Sequence, residues 1–240
     1  MGKGRNGIGV LGVGAAATVL AGAGYIGANW LRYGKQRSKR GPADPLLDRI
    51  MPEYEVREYH QTRVPAPAEL TFSVAKELDM QGSGLVRAIF KGRELLMGAR
   101  PNQREPEQSL LSEVLSLGWR VLAEEPRREL VLGAVTQPWQ ADVQFRGLGP
   151  EEFAAFNEPG YAKIAWTMAV EPRGPDSSLF RTETRVLTTD PESRRRFRRY
   201  WSMVSPGVRL IRYEMMRLVR REAARRFQTR GDAAISARPG

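Results

Sequence analysis

Residues 190–218 read DPESRRRFRRYWSMVSPGVRLIRYEMMRL, and the spacing within them decides the fold. Asp190 suits a helix N-cap, and Pro191 is the favoured first-turn residue. Phe197, Trp201, Val204, Val208, Ile211, Met215 and Leu218 then follow at alternating steps of four and three. That spacing predicts one unbroken apolar stripe along a long helix. Such a stripe needs a long apolar surface to cover it. Pro206 lacks the N–H that the helical ladder uses, so a kink is expected near Ser205–Gly207. Residues 191–230 carry 13 Arg against Glu192, Glu214 and Glu222, a local +10 in a chain of net charge +11. This load suits nucleic-acid phosphates, an anionic membrane surface or a solvated face opposite the stripe. No nucleic-acid motif and no basic sheet interleaved with aromatics accompanies it, which disfavours nucleic acid as a partner. Residues 228–240 read as a disordered tail.

The covering surface lies upstream. Residues 53–64 alternate, with Tyr54, Val56, His60, Thr62 and Val64 on one face and Glu53, Glu55, Arg57 and Arg63 on the other, as in a half-buried strand. Pro65 and Pro67 end it. Helices are expected over 68–78 and 85–98, and a polar loop over 101–109. From Gly118 onward the pattern is of strands: 118–125, with Trp119, Val121 and Ala123 on one face; 129–137; and a short strand at 142–146. A helical turn at 151–156 precedes two long strands. Residues 161–171 put Ile164, Trp166, Met168 and Val170 on one face, and 178–188 put Phe180, Thr182, Thr184 and Val186 inward. A turn at Arg173–Asp176 joins the two. Antiparallel strands at regular spacing make a meander. The fold class is therefore α+β.

The element order resembles the helix-grip fold of the START-like, or SRPBCC, superfamily, which includes lipid-transfer domains and polyketide cyclase/dehydrase-like proteins. The resemblance spans residues 50–227. It includes Val64-Pro65-Ala66-Pro67-Ala68 opening the first helix and Arg196-Phe197-Arg198-Arg199-Tyr200-Trp201 opening the last. It implies a curved antiparallel sheet wrapped around the C-terminal helix, two short supporting helices, and a hydrophobic small molecule held between sheet and helix. It implies no shared reaction, because the superfamily mixes carriers with enzymes.

Ahead of this domain, residues 8–31 read IGVLGVGAAATVLAGAGYIGANWL, without a charge. A helix of that length rises ~36 Å, enough to cross a ~30 Å hydrocarbon core. Residues 1–34 are thus expected to be a transmembrane anchor and 35–49 a basic, proline-containing linker. The alternative, a signal peptide cut after Ala21-Gly22-Ala23, fits less well with Trp30 and the basic run after it. Lys3 and Arg5 precede the span, whereas Arg32, Lys35, Arg37, Lys39 and Arg40 follow it. This bias favours a single-pass protein with its domain in the cytoplasm. Gly7, Gly9 and Gly12 spell G-x-G-x-x-G, but no acidic residue occurs before Asp44, so a dinucleotide site is not supported.

The chain has no Cys and one His, which excludes a disulfide framework, a thiolate site and a paired-His mechanism. No metal, cofactor or catalytic residue is assigned. The candidate ligand-contacting residues are Trp166, Met168, Trp201, Trp119, Phe180 and His60: aromatics and Met for an adaptable apolar lining, and His60 as a polar anchor. Each also reads as a plain core residue. Glu183 and Arg185 share a strand face that alternation places outside, as a surface ion pair worth under ~1 kcal/mol. The opposite register would turn them into the cavity beside Asp142 as an acid/base set. Three functions stay open: a membrane-anchored binder of an apolar molecule, which is preferred; a cyclase- or dehydratase-type enzyme; and a scaffold with a filled core. Deleting residues 1–34 is expected to move the protein from the membrane pellet to the soluble fraction on sedimentation. Continued pelleting would shift the membrane contact to the Arg-rich helix.

Overall fold

In the computed structural model of the chain, the described residues are 44–80, 82–88, 91 and 109–236. The expected span at 8–31 lies outside them, and no helix among the described residues is long and apolar enough to cross a membrane. The elements are α1 (Pro45–Ile50), β1 (Val56–Val64), α2 (Ala68–Glu77), α3 (Leu110–Ser116), β2 (Arg120–Glu125), β3 (Glu129–Thr136), β4 (Phe145–Arg146), α4 (Pro150–Ala155), β5 (Ala162–Pro172), β6 (Ser178–Thr188) and α5 (Pro191–Ser236). Residues 84–88 are also helical, and most of the helix expected at 85–98 lies outside the described residues.

Six antiparallel strands form one sheet in the order β1-β6-β5-β3-β2, with β4 also paired to β3. The long central hairpin β5–β6 turns at Gly174, whose φ of +142° suits a residue without Cβ. Arg173 N–H donates to the Ser177 carbonyl across that turn. The uninterrupted run ELVLGAVT makes β3, and all eight of its residues are buried. A strand so apolar belongs where both faces are covered.

One face packs against helices α2 and α5. Leu130, Leu132, Trp166, Met168, Val170 and Phe180 meet Leu70, Val74, Met215, Met216 and Val219 there. The N-terminal half of α5 covers a separate cluster of Val56, Val186, Phe197 and Trp201. The other face is covered as well, by α1 and α4: Leu47, Met51, Tyr54 and Phe153 pack on Val131, Val135 and Ala165. Gly133 makes this cover possible. A Cβ there would lie 2.3 Å from Leu122 Cδ1 and 3.2 Å from the Phe153 ring.

The second cover corrects several sequence readings. Residues 45–50 are a helix rather than linker: Asp44 Oδ1 accepts from Leu47 N–H at 2.9 Å, Pro45 opens the turn, and Leu47 is fully buried. Tyr54 packs on this outer face, because it precedes the strand whose alternation was extended to it. A bulge between Val121 and Ala123 breaks the expected alternation of β2, so Leu122 is the buried residue of that strand. The α3 helix, capped by Ser109, has no counterpart in the sequence reading. Helix α5 runs on to Ser236, past the expected boundary at 227, and is continuous through Pro206.

Glu183 and Arg185 face away from α5, as alternation placed them, yet they are not a surface pair. They are 1% and 2% exposed. Glu183 accepts two bonds from Arg57, both 2.7 Å, and a third from Arg185 Nε at 2.7 Å. Arg185 Nη1 reaches the Met51 carbonyl at 2.8 Å and Asp48 at 2.7 Å, and its guanidinium lies 4.6 Å from the Tyr54 ring centroid. Two carboxylates balance two guanidiniums, and together they clamp α1 to the sheet. Removing one member of a buried pair strands the others, at a cost of about 3–5 kcal/mol. Glu183→Ala is therefore expected to lower unfolding stability by that amount in a urea titration. A loss below ~1 kcal/mol, the value of an exposed pair, would contradict the clamp.

Candidate ligand site between the sheet and the C-terminal helix

Strand alternation and register set two cross-strand rows beneath α5. One runs Glu58, Thr184, Trp166, Leu132; the next runs His60, Thr182, Met168, Leu130. Each row is polar on β1 and β6 and apolar on β5 and β3. The layer under the helix is therefore amphipathic across the sheet.

Helix α5 supplies the facing groups. Its start is fixed first. The Asp190 carboxylate accepts from the Ser193 hydroxyl and from the backbone N–H groups of Ser193, Gly160 and Glu192, which hold it well below the ordinary Asp range. Arg194 binds the buried Glu55, which also accepts from Thr188. Glu55 was read as outward-facing, but the first turn of α5 covers it. With that end pinned, Arg209, Arg212 and Tyr213 fall over the polar half of the rows. Arg209 Nη2 donates to Glu58 Oε1 at 3.1 Å. Arg212 Nη2 donates to Thr184 Oγ1 at 2.9 Å, with its guanidinium carbon 4.6 Å from the Trp166 ring centroid. Trp166 Nε1 donates to Thr182 Oγ1 at 2.6 Å, and that hydroxyl donates onward to the Thr167 carbonyl. The Tyr213 ring meets His60 edge-on at 5.3 Å and is itself 62% exposed, so the His60 end of the layer opens toward solvent.

The electrostatics follow from this packing. Burial lowers the Arg212 pKa to about 10, partly opposed by the Glu58 charge, and the group stays cationic at neutral pH. Burial also lowers the His60 pKa; Glu58 opposes the shift, while Arg212 and Arg209 add to it. His60 is accordingly neutral at physiological pH. Its Nε2 is buried without a hydrogen-bond partner and has Glu58 Oε2 3.8 Å away.

Of the six residues chosen from sequence, Trp166, Met168 and Phe180 come together in the central layer. Trp119 packs on the edge of that layer, with its ring 5.5 Å from Phe145, beside the strand farthest from His60. Trp201 belongs to the separate cluster and stacks on Phe197 at 5.6 Å. Glu58, Arg209 and Arg212 were missed. The signal was present: Trp201, Ser205, Met215, Val219 and Ala223 are buried along one line of α5, and the half-buried Val208 and Arg212 fall on the same line. An arginine occupies a position in it where an apolar residue is expected. The sequence reading combined Trp201, Val208 and Met215 of this line with the half-buried Val204, Ile211 and Leu218 beside it, and so stepped past Arg212. The charge on α5 is also largely spoken for. Arg194, Arg195, Arg196, Arg209, Arg217, Arg225 and Arg226 all pair with carboxylates of the chain.

No protein-family model matches the chain, and no curated protein does. Several solved structures are similar to it in fold. A hypothetical protein from Helicobacter pylori is 8% identical, with a TM-score of 0.36, over 78% of this chain and 98% of that one. A truncated norcoclaurine synthase from Thalictrum flavum is 13% identical, with a TM-score of 0.32, over 68% and 89%. An aromatase/cyclase from a Streptomyces species is 13% identical, with a TM-score of 0.26, over 71% and 94%. Among the described residues, an antiparallel sheet with a long C-terminal helix across one face makes a helix-grip arrangement.

Because His60 is the only histidine, its proton NMR titration is unambiguous. Its midpoint is expected below the ordinary value of about 6.5, and Arg212→Met is expected to raise it. The depressed value means that His60 favours folding above pH 6.5, and that this contribution fades as pH falls through the folded midpoint. A midpoint at or above 6.5 would place the imidazole in water.

Proposed function

We propose that this chain is a membrane-tethered helix-grip domain that binds a hydrophobic small molecule between α5 and the sheet. The observation that carries the reading is the buried, unpartnered Nε2 of His60 in the polar half of the layer under α5. Leaving such an atom unsatisfied costs about 1–3 kcal/mol, which a filled structural core would avoid with an apolar residue. A bound molecule supplies the missing partner. Its apolar body gains ~25 cal/mol for each Å² removed from water against Trp166, Met168 and Phe180. Entry is proposed between β1 and α5, past the exposed Tyr213. Residues 1–34 act as the single-pass tether, with the domain on the cytoplasmic side.

A second reading, a cyclase- or dehydratase-type enzyme, draws on the same imidazole, since a neutral His can accept a proton. Its natural partner, Glu58, is already bound to Arg209. That leaves no second free acid or base beside it and favours the carrier.

Native mass spectrometry of the full-length protein, released from detergent, is expected to show an adduct of a co-purifying apolar molecule. His60→Ala is expected to keep most of that adduct. A wild-type protein that is unliganded in every preparation would contradict the proposal. An adduct that accumulates unconverted only in His60→Ala would favour the enzyme.

A further inference from the structure

We infer that the molecule held under α5 is an amphipathic carboxylate, its anionic end on Arg212 and its apolar body along Trp166, Met168 and Phe180. This assignment rests on the ligand-site reading proposed above and adds the chemical class of the ligand.

The argument starts from the charges beneath α5. Glu58 is neutralised by Arg209 at 3.1 Å. His60 is held neutral by burial. Arg212 feels the Glu58 charge at a distance but has no ion-pair partner of its own. Among the described residues no carboxylate lies within ion-pair distance of it, and its one hydrogen bond goes to the neutral hydroxyl of Thr184. A guanidinium has five N–H donors, so most of its fork is unused. The Trp166 ring beneath it offers a π face, which attracts the cation but accepts none of the in-plane donors. A half-buried cation with no carboxylate partner keeps part of its desolvation cost, and a group that lies flat in that plane and brings one negative charge relieves it. A carboxylate does both, because its two oxygens match the guanidinium fork.

The same sum of charges separates carboxylate from phosphate. Arg209, Arg212 and Glu58 leave one net positive charge. One carboxylate neutralises it, whereas a phosphate monoester carries close to two charges at neutral pH and would leave the layer negative. The geometry also sets polarity along the sheet. From Thr184 the β6 face proceeds through Thr182 to Phe180, and from Trp166 the β5 face proceeds through Met168 to Val170. The seat is thus polar at Arg212 and increasingly apolar toward Met215 and Met216 of the main cluster.

The test is calorimetric titration of the full-length chain in nanodiscs, with empty nanodiscs subtracted. The probes are 2-naphthoate, 2-naphthalenemethanol and 2-naphthyl phosphate, with octanoate and 1-octanol as a second acid–alcohol pair. In each pair the acid is expected to bind about 10–100-fold tighter than its alcohol, the range of one charged hydrogen-bonded contact, and the phosphate no tighter than the carboxylate. In Arg212→Met the acid loses its advantage and the members of a pair bind within about threefold of each other. Arg212→Lys retains part of the preference, since it keeps the charge but not the fork. Should Arg212→Met fail to melt cooperatively, the wild-type comparison and Arg212→Lys decide. Equal affinities of acid and alcohol in the wild type, or a phosphate that binds tenfold tighter than the acid, overturn the carboxylate assignment and leave the ligand site standing. Binding of no probe in either pair overturns both.

Discussion

Both faces of the sheet are covered, and the constraint that follows governs the rest of the molecule. A charged side chain of these strands that lies beneath α1 or α5 has little access to bulk water, so it must find its counter-charge within the protein. On the outer face Glu183 does so with Arg57 and Arg185, and this network fastens α1. Under α5, Glu55 binds Arg194 and Glu58 binds Arg209. These pairs set the rotation of α5 about its own axis, since both arginines are on the helix and the carboxylates lie on β1 and immediately before it. Against this background of satisfied charge, Arg212 and His60 stand apart. The first has a fork largely unused, and the second has a buried nitrogen unpartnered. These two groups are the ones on which the proposed ligand site rests.

Helix α5 contains the weak stretch through which the proposed ligand would enter. It is pinned at its start by the Asp190 cap and the Arg194–Glu55 pair, and in its second half by Met215, Met216, Val219 and Ala223 against the main core. Between these anchors lie Pro206 and Gly207. Pro206 offers no N–H to the Ser202 carbonyl, so one rung of the ladder is missing, and glycine adds backbone freedom beside it. The helix is continuous here, but this is the stretch that can open at least expense. Arg209 and Arg212 follow directly after it, so a small movement at Pro206 carries both over the polar half of the layer.

The fold was readable because its signals are periodic. Strict alternation fixed β6 over 178–188 and put Trp166 and Met168 on the helix-facing side, and the stripe from Phe197 to Leu218 announced α5. What escaped was aperiodic or non-local. Helix α1 is six residues long, too short for a periodic signal, and its burial comes from a surface assembled by β3 and β5. The bulge at Val121/Ala123 shifts the register of β2 without any proline or glycine to mark it. Glu183 and Arg185 were placed on the correct face, but alternation says which way a side chain points and nothing of what lies over it. Arg212 was hidden between two adjacent lines on one helix. The apolar stripe from Phe197 to Leu218 shares Trp201, Val208 and Met215 with the covered line but steps past Arg212, which the structure half-buries on it.

The central claim is that the seam between α5 and β1 is a ligand seat rather than inert packing. Hydrogen exchange of the full-length protein, with and without saturating 2-naphthoate, tests it most directly. The account predicts that amides of residues 205–216 and of β1 from Glu58 to Thr62 exchange at least tenfold more slowly with the acid present, while those of α1 and α4 on the opposite face do not change. Identical exchange in both conditions, or slowing confined to the α1–α4 face, would contradict it.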